Sequence, residues 1–353
     1  MNIIAVLNIG SSSFKYTFYD EDFKAIEKGQ AEDFPDWQLK AEKYLKDLVA
    51  IGHRMVHGAD KYFDPTVVND QVFADLTEFS VLAPLHNPPA LKVIQLCRQA
   101  YPEIKNVAVF DTGFYKNLPL YTRLYPIPLD IDPKIRRYGF HGTSHRYVAE
   151  ESAKKLGRPL TELKIITVHL GAGCSITAIE DGQPIDTSMG FTPLEGLMMA
   201  TRCGSIDPAI IFYLAREKKM SLDEIEKLLN EKSGLLGVSG VSIDPREILA
   251  VANKASDKSS PEEKEQAARA GLALQMYAYR VKKYIGAYFV ALGGLDALVF
   301  TGKVGENSEL IREMITNGLG GLGKFTVLVI PTDEELAIAR QVASLLLNLQ
   351  PKD

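Results

Sequence analysis

Six histidines, His53, His57, His86, His141, His145 and His169, all fall in stretches rich in turn formers. Two pairs, His53/His57 and His141/His145, are spaced i, i+4, the interval at which a helix would aim both rings at a metal. No HExxH glutamate accompanies either pair, and Gly142-Thr143 interrupts the second, so a zinc site is disfavoured. Ser11, Ser12 and Ser13 lack the GxSxG elbow of a hydrolase nucleophile, and neither a Walker A loop nor a Rossmann fingerprint is present. What the chain does hold is glycine turns, two arginines in turn-rich segments (Arg54, Arg202), histidines and isolated acids. That set suits phosphoryl transfer, which needs backbone cradles, cations for the equatorial oxygens and carboxylates beside Mg²⁺.

The elements that must position these groups centre on Lys164–Glu180, KIITVHLGAGCSITAIE. A β-branched run reaches the turn His169-Leu170-Gly171-Ala172-Gly173 and leaves as a second apolar run. Its glycines allow positive φ and close backbone approach to an anion. The N-terminus repeats the form in IIAVLNIGSSSFKYTFY, with Asn8 to Ser13 in the turn and Lys15 on the returning strand. Aligning Gly10 with Gly171 sets Asn8 against His169. The two hairpins predict duplicated α/β halves that face a shared cleft.

Around these hairpins, helical spacing predicts a helix over 37–50 and others near 72–79, 90–100, 221–231 and 336–347. The longest predicted helix is 261–292. Ser144 is read as the N-cap of a further helix, and 234–240 as turn. Strands are expected at 51–58, 107–110 (delivering Asp111), 296–301 and 327–330. The last strand but one breaks on Gly302 into a helix start suited to phosphate or ribose. Tyr115 to Pro133 reads as a crossover between domains.

At 353 residues, with 46% hydrophobic and 24% charged residues, the chain is long enough for two cored domains. A formal net charge of −5 excludes a global field for nucleic acid or anionic membrane. No apolar window approaches a membrane span, and the opening MNIIAVLNIG reads as a first strand without the basic region of a signal peptide. Cys97, Cys174 and Cys203 make no disulfide framework, which suits a reducing cytoplasm. Cys174 is read as a small buried filler.

The motifs NIGSSSFK, GHRMVHG, LAPLHNPPAL, AVFDTGF, YGFHGTSH, HLGAGCS, DTSMGFTPLEGLMMATRCGSIDP, LVFTGKVGENS and PTDEELAIA together resemble the acetate kinase family, in its order and over almost the whole chain. The resemblance implies the fold of acetate and sugar kinases, hsp70 and actin: two RNase H-like domains, 1–112 plus 335–353 and 113–334, with the active site between them. It implies reversible transfer of a phosphoryl group from ATP to acetate, with Mg²⁺ or Mn²⁺ and ATP/ADP, by a cytoplasmic homodimer. Carried over by motif, Asn8 and Glu334 are the metal-side residues, and Arg54, Arg202, His141 and Asp111 the catalytic set. Val56, Leu85, Phe140 and Pro193 form a methyl pocket, with His86 beside it.

The nucleotide side comprises Lys15, Ser11, Ser13, His169, Leu170, Gly171, Ala172, Gly173, Asp244, Pro245, Arg246, Lys303, Val304, Gly305, Glu306 and Asn307. Ala172, Pro245 and Lys303 depart from the family pattern, and all three fall on this side. Alternatives are therefore a pyrophosphate-dependent variant or a nucleotide-binding relative with reduced catalysis and, because an apolar pocket discriminates one methylene only weakly, a propionate or butyrate kinase. Segments usual in the family are also missing between Asp20 and Ile51 and near Gly323.

Overall fold

The computed structural model describes residues 2–9, 14–83 and 86–349. The expectations for Ser11, Ser13 and Leu85 lie outside the described residues. The first half contains β1 (Ile3–Ile9), β2 (Phe14–Tyr19), β3 (Ala25–Ala31), α1 (Phe34–Ala41), β4 (Leu48–Met55), β5 (Thr66–Val67), α2 (Asp70–Glu78), α3 (Asn87–Ala100) and β6 (Lys105–Phe110). A crossover carrying the short α4 (Leu120–Arg123) leads to α5 (Gly142–Leu156), β7 (Lys164–Leu170), β8 (Cys174–Glu180) and β9 (Gln183–Thr187). Then come α6 (Ala209–Glu217), α7 (Leu222–Glu231), α8 (Gly234–Ser239), α9 (Pro245–Ala252) and α10 (Pro261–Leu292). The chain closes with β10 (Ala297–Thr301), α11 (Gly302–Asn307), α12 (Glu309–Thr316), β11 (Thr326–Val329) and α13 (Glu334–Asn348).

The duplication is plain in the sheets. The first runs β3-β2-β1-β4-β6-β5 and the second β11-β10-β7-β8-β9. In each, an antiparallel three-strand meander (β1-β2-β3, β7-β8-β9) is extended by two parallel strands (β4 and β6, β10 and β11). Asn8 and His169 are both next to last in their strands. The ends that carry Asn8, Arg54, Asp111, His169 and Thr301 are the carboxyl ends of parallel strands, where open sheets bind ligands.

Four apolar layers hold this frame. Leu7, Phe18, Trp37 and Cys97 pack on one face of the first sheet. On the other face Ile4, Val6, Val107 and Val109 meet Ile338, Ala339 and Val342, so α13 returns from the far end of the chain to the first sheet. The second sheet is covered by Val148, Ala149 and Ala153 of α5 on one side and by Ala270, Leu274, Tyr277 and Val281 of α10 on the other. The helices α5 and α13 lie together, with Arg340 Nη1 donating to Glu151 Oε1 at 3.3 Å.

Several boundaries differ from the sequence reading. The 37–50 helix is α1, which starts earlier, at Phe34, on an Asp33 cap and ends at Ala41. Leu48 and Val49 instead open β4, because Leu48 pairs with Ile3 in the parallel ladder. Ser144 is not an N-cap: α5 begins at Gly142 after His141 in a left-handed conformation (φ 56°), and the Gly142 N–H donates to Asp111 O at 3.0 Å. Residues 234–239 form a helix because the N–H groups of Leu235 and Leu236 find the carbonyls of Met199 and Ala200 at 2.9 and 3.0 Å. Gly171 and Gly173 do not use positive φ. Gly173 serves close approach instead, since a Cβ there would stand 3.1 Å from the His141 ring. No described helix is long and apolar enough to cross a membrane.

Ile338 is fully buried between α13 and the first sheet. Ile338→Ala should lower the unfolding free energy by about 2–5 kcal/mol, read by denaturant titration; a loss below about 1 kcal/mol would mean that α13 contributes little to that core.

Candidate functional site

The guanidinium of Arg54, near the end of β4, is the most heavily bonded group in the cleft. Its Nη2 and Nε donate to Asp111 at 2.7 and 3.1 Å, and its Nη1 reaches Asn8 Oδ1 and Glu334 Oε2, each at 3.2 Å. Asp111 is 1% exposed and also accepts from Thr143 Oγ1 at 3.3 Å. Asn8 Nδ2 donates to Glu335 Oε1 at 2.8 Å and faces Glu334 Oε2 at 3.4 Å. Burial works against the charge on Arg54, but Asp111 and Glu334 override it and push its pKa up. Lys15 is exposed; its register opposite Asn8 puts it on the same face of the sheet.

Arg202 comes from the second half, on the irregular segment between β9 and α6. Its Nη1 has only Pro193 O at 3.4 Å and Met199 Sδ at 3.9 Å, and among the described residues it makes no ion pair with a carboxylate. Burial accordingly lowers its pKa. The segment is held from both sides. Arg137 pairs with Glu195 at 2.8 Å and caps Thr187 O at 2.9 Å, and Tyr125 donates to the same Glu195. On the other side Gly234, at φ +61°, must be glycine: a Cβ there would lie 2.2 Å from Met199 O.

Both arginines bear on the same histidines. Burial, then Arg202 and Arg54, bring His86 down to about 4. Burial, then His169 and the two arginines, hold His141 well below its usual value. Both guanidinium groups thus lie close enough to these histidines to disfavour their protonation. The rings of His141 and His169 stack at 4.4 Å, and Ser144 Oγ bonds His169 Nδ1 at 2.9 Å. Val56, from the first half, packs on the large apolar cluster that contains Phe140, and the carbonyl of Pro193 accepts from Arg202.

Beyond Gly171 lies an open cavity of about 400 Å³, lined by Gly171, Ala172, Asp244, Pro245, Arg246, Lys303, Val304 and Asn307, all expected from the sequence. Ala200, Ile243 and Ser308 also line it and were missed, for they carry no motif signal of their own. Asp244 caps α9 and pairs with Arg246 at 2.5 Å, which lowers its pKa to about 2. Gly302, at φ +76°, lets the start of α11 pass the end of β7, where a Cβ would meet Leu170 O at 2.7 Å. Glu306 faces inward to accept from the N–H groups of Gly302 (2.9 Å) and Thr332 (3.1 Å), so it braces the turn. Leu170 is buried and Gly305 packs over it, so both shape the frame behind the cavity. Cys174 is buried, with its thiol pushed up to about 11, as a filler should be. Sequence reasoning also missed Thr143 and Glu335, each beside a residue it named. Among the described residues no cluster of three or more His, Cys, Asp or Glu is arranged to hold a metal.

Residues 36–324 match the Acetokinase family. An acetate kinase of Halothermothrix orenii is 42% identical over 402 aligned positions, covering 96% of this chain and 98% of the relative. Among solved structures, the acetate kinase of Porphyromonas gingivalis superimposes with a TM-score of 0.87 at 36% identity, covering 98% of this chain and 100% of that one. A propionate kinase of Francisella tularensis gives 0.87 at 36% identity, with coverages of 97% and 99%.

Two stability results should separate the arginines. Arg54→Ala strands buried Asp111 without its partner and should cost about 3–5 kcal/mol, whereas Arg202→Met removes a buried charge that has no acid and should leave stability within about 0.5 kcal/mol or raise it. Equal losses in denaturant titration would contradict this asymmetry. His53 and His57, like His86, are lowered by burial from 6.5 to about 4. The unfolded chain then binds more protons below pH 6.5, so stability should be full above that pH and fall towards pH 4. The slope should reach about 1.4 kcal/mol per pH unit for each histidine, followed as the thermal midpoint against pH.

Proposed function

Because this chain belongs to the acetokinase family, we propose the following division of labour for its reaction, reversible phosphoryl transfer from ATP to acetate to give acetyl phosphate and ADP. The observation that carries it is the asymmetry of the two cations: Arg54 is neutralised by Asp111 and Glu334, while Arg202 faces the same histidines without a carboxylate. A planar guanidinium with free donors is suited to a carboxylate or an equatorial phosphoryl oxygen. Arg202 thus takes the anion that crosses the cleft, and Arg54 fixes the opposite wall and screens the acceptor carboxylate.

Acetate is ionised at neutral pH, since carboxylic acids titrate near about 4, so the forward reaction needs no general base. Asp111, bonded to Arg54 and Thr143, positions that arginine and is not required to take a proton. The neutral ring of His141, whose charge both arginines disfavour, can hydrogen-bond the phosphoryl group without adding charge. Val56, Phe140 and Pro193 hold the methyl group, with His86 alongside.

Asn8, Glu334 and Glu335 sit together at the mouth of the cleft, and a hard oxygen-donor set of this kind fits Mg²⁺ that arrives on nucleotide phosphates. Glu334 and Glu335 would hold such an ion beside the cleft, and its charge would offset that of the phosphates. Since the amide of Asn8 is engaged by Arg54 and Glu335, the carboxylates are its more available ligands. The 400 Å³ cavity supports a nucleotide over bare pyrophosphate, because binding sites for small organic ligands run from about 300 Å³ upwards. Lys303 on its wall would then contact the nucleotide, and Lys15 the phosphates.

We further assign the lobes as 1–112 with 335–353 and 113–334, which the packing of α13 on the first sheet supports. A homodimer through the second lobe accords with α6, an apolar helix that buries no residue and exposes Ile210, Phe212 and Tyr213. Three free thiols accord with a cytoplasmic setting.

Trapping acyl phosphate as the hydroxamate, with acetate and propionate as acceptors and ATP and pyrophosphate as donors, tests the whole assignment. Acetate with ATP should be the preferred pair, with propionate weaker by about 10–200-fold, the discrimination one methylene allows. Arg202→Ala should lose roughly 10³-fold in kcat/KM, by analogy with arginine fingers. Saturation by pyrophosphate and not by ATP would overturn the donor assignment.

A further inference from the structure

Behind His141 the buried polar side chains form a single file. Thr167 Oγ1 lies 2.7 Å from His145 Nδ1, His145 Nε2 lies 2.7 Å from Ser175 Oγ, and Ser175 Oγ lies 2.9 Å from His141 Nδ1. Thr167, His145 and Ser175 are fully buried, while His141 is half-buried and reaches the cleft. Burial holds both histidines neutral, so each ring carries one proton. A neutral imidazole donates from one nitrogen and accepts at the other.

A hydroxyl holds one proton and two lone pairs, so Ser175 could accept from both rings at once, but its own proton would then have no acceptor among the described residues; two arrangements remain. If they run towards Thr167, His141 donates from Nδ1 to Ser175, Ser175 to His145 Nε2, and His145 from Nδ1 to Thr167. Thr167 must then send its own proton elsewhere, and the acceptor within reach is Thr177 O at 3.5 Å, the limit of a hydrogen bond. His141 Nε2 would meet the cleft as a bare lone pair. If the protons run towards the cleft, Thr167 donates to His145 Nδ1, His145 Nε2–H to Ser175, and Ser175 to His141 Nδ1. Every proton in the file then lies on a contact of 2.9 Å or less, and His141 meets the cleft with Nε2–H.

We propose that Thr167 is a positioning residue that anchors this file and locks His141 in the Nε2–H tautomer, so that the ring presents a hydrogen-bond donor to the phosphoryl group. None of Thr167, His145 or Ser175 touches a substrate; they act through His141. The catalytic consequence rests on the reading of His141 as a phosphoryl contact, whereas the tautomer itself does not. A lone pair in that place would repel the phosphoryl oxygens, so the tautomer decides whether the ring helps or hinders.

Histidine-selective ¹⁵N spectra of the intact, ligand-free protein measure the tautomer directly, with the His141 signal identified by its loss in His141→Gln. The expected result is a protonated Nε2 and a bare Nδ1; a protonated Nδ1 in the wild type overturns the proposal without any variant. Thr167→Val keeps the shape and deletes the hydroxyl. It should mix the two tautomers and lower kcat about tenfold, less than the 10²–10³-fold cost of deleting a direct donor. KM for acetate should stay within about twofold, and Thr167→Ser should restore both tautomer and rate. A Thr167→Val protein with an unchanged His141 tautomer and kcat also overturns the proposal. If the wild type showed the expected tautomer but made no acyl phosphate, the kinase reading would fall while the locked file stood.

Discussion

Arg54 gathers the ends of four elements at one guanidinium: its own strand β4, Asp111 after β6, Asn8 of β1 and Glu334 at the start of α13. Removing these charges from water is costly, and their attraction compensates only because the geometry satisfies nearly every donor. The first wall of the cleft is therefore set before any ligand arrives. Its cation is already matched by carboxylates, and Glu335 adds a further acid beside Asn8. Arg202, from the second half, makes no ion pair with a carboxylate among the described residues. The electrostatic direction of the site follows from this one imbalance.

The second wall is rigid for a different reason. Arg202 lies on a long segment without helix or strand, whose backbone groups must be satisfied by neighbours. Arg137, Glu195 and the N-terminus of α8 do so, and Gly234 permits the approach. Between the walls stand neutral histidines. Charged imidazoles beside two arginines would repel them, and burial with those same arginines keeps the rings uncharged. They contribute directed hydrogen bonds, which makes their tautomers matter more than their titration.

The two ends of the cleft contrast. Val56 packs on the apolar cluster that contains Phe140, whereas the segment beyond Gly171 opens into the cavity. The substitutions that set this chain apart from the family pattern all line the open end. There a lysine or an alanine costs little packing, whereas a change at buried Phe140 would disturb the core of the second half.

Much of this was legible in the chain because it is local. The duplicated hairpins, the start of α10 with its capping box, and the turn at Gly302 depend on residues a few positions apart, whose spacing encodes strand, cap and close approach. Candidate site residues could be named because motifs keep them beside recognisable turns. What the sequence misjudged was decided by neighbours distant along it. Leu48 left the predicted helix for a ladder with Ile3, and Ser144 turned from a cap to a partner of His169. By itself, then, the sequence determined the two-part α/β plan, the inventory of phosphoryl-transfer groups and the turns that carry them, since these follow from periodicity and backbone stereochemistry. Only the tertiary structure decided that Asn8 meets Glu335, 327 positions away, that Arg54 is paired while Arg202 is not, and that the protons behind His141 have one preferred direction. Those outcomes depend on burial and on distances of about 3 Å between groups that no spacing along the chain relates.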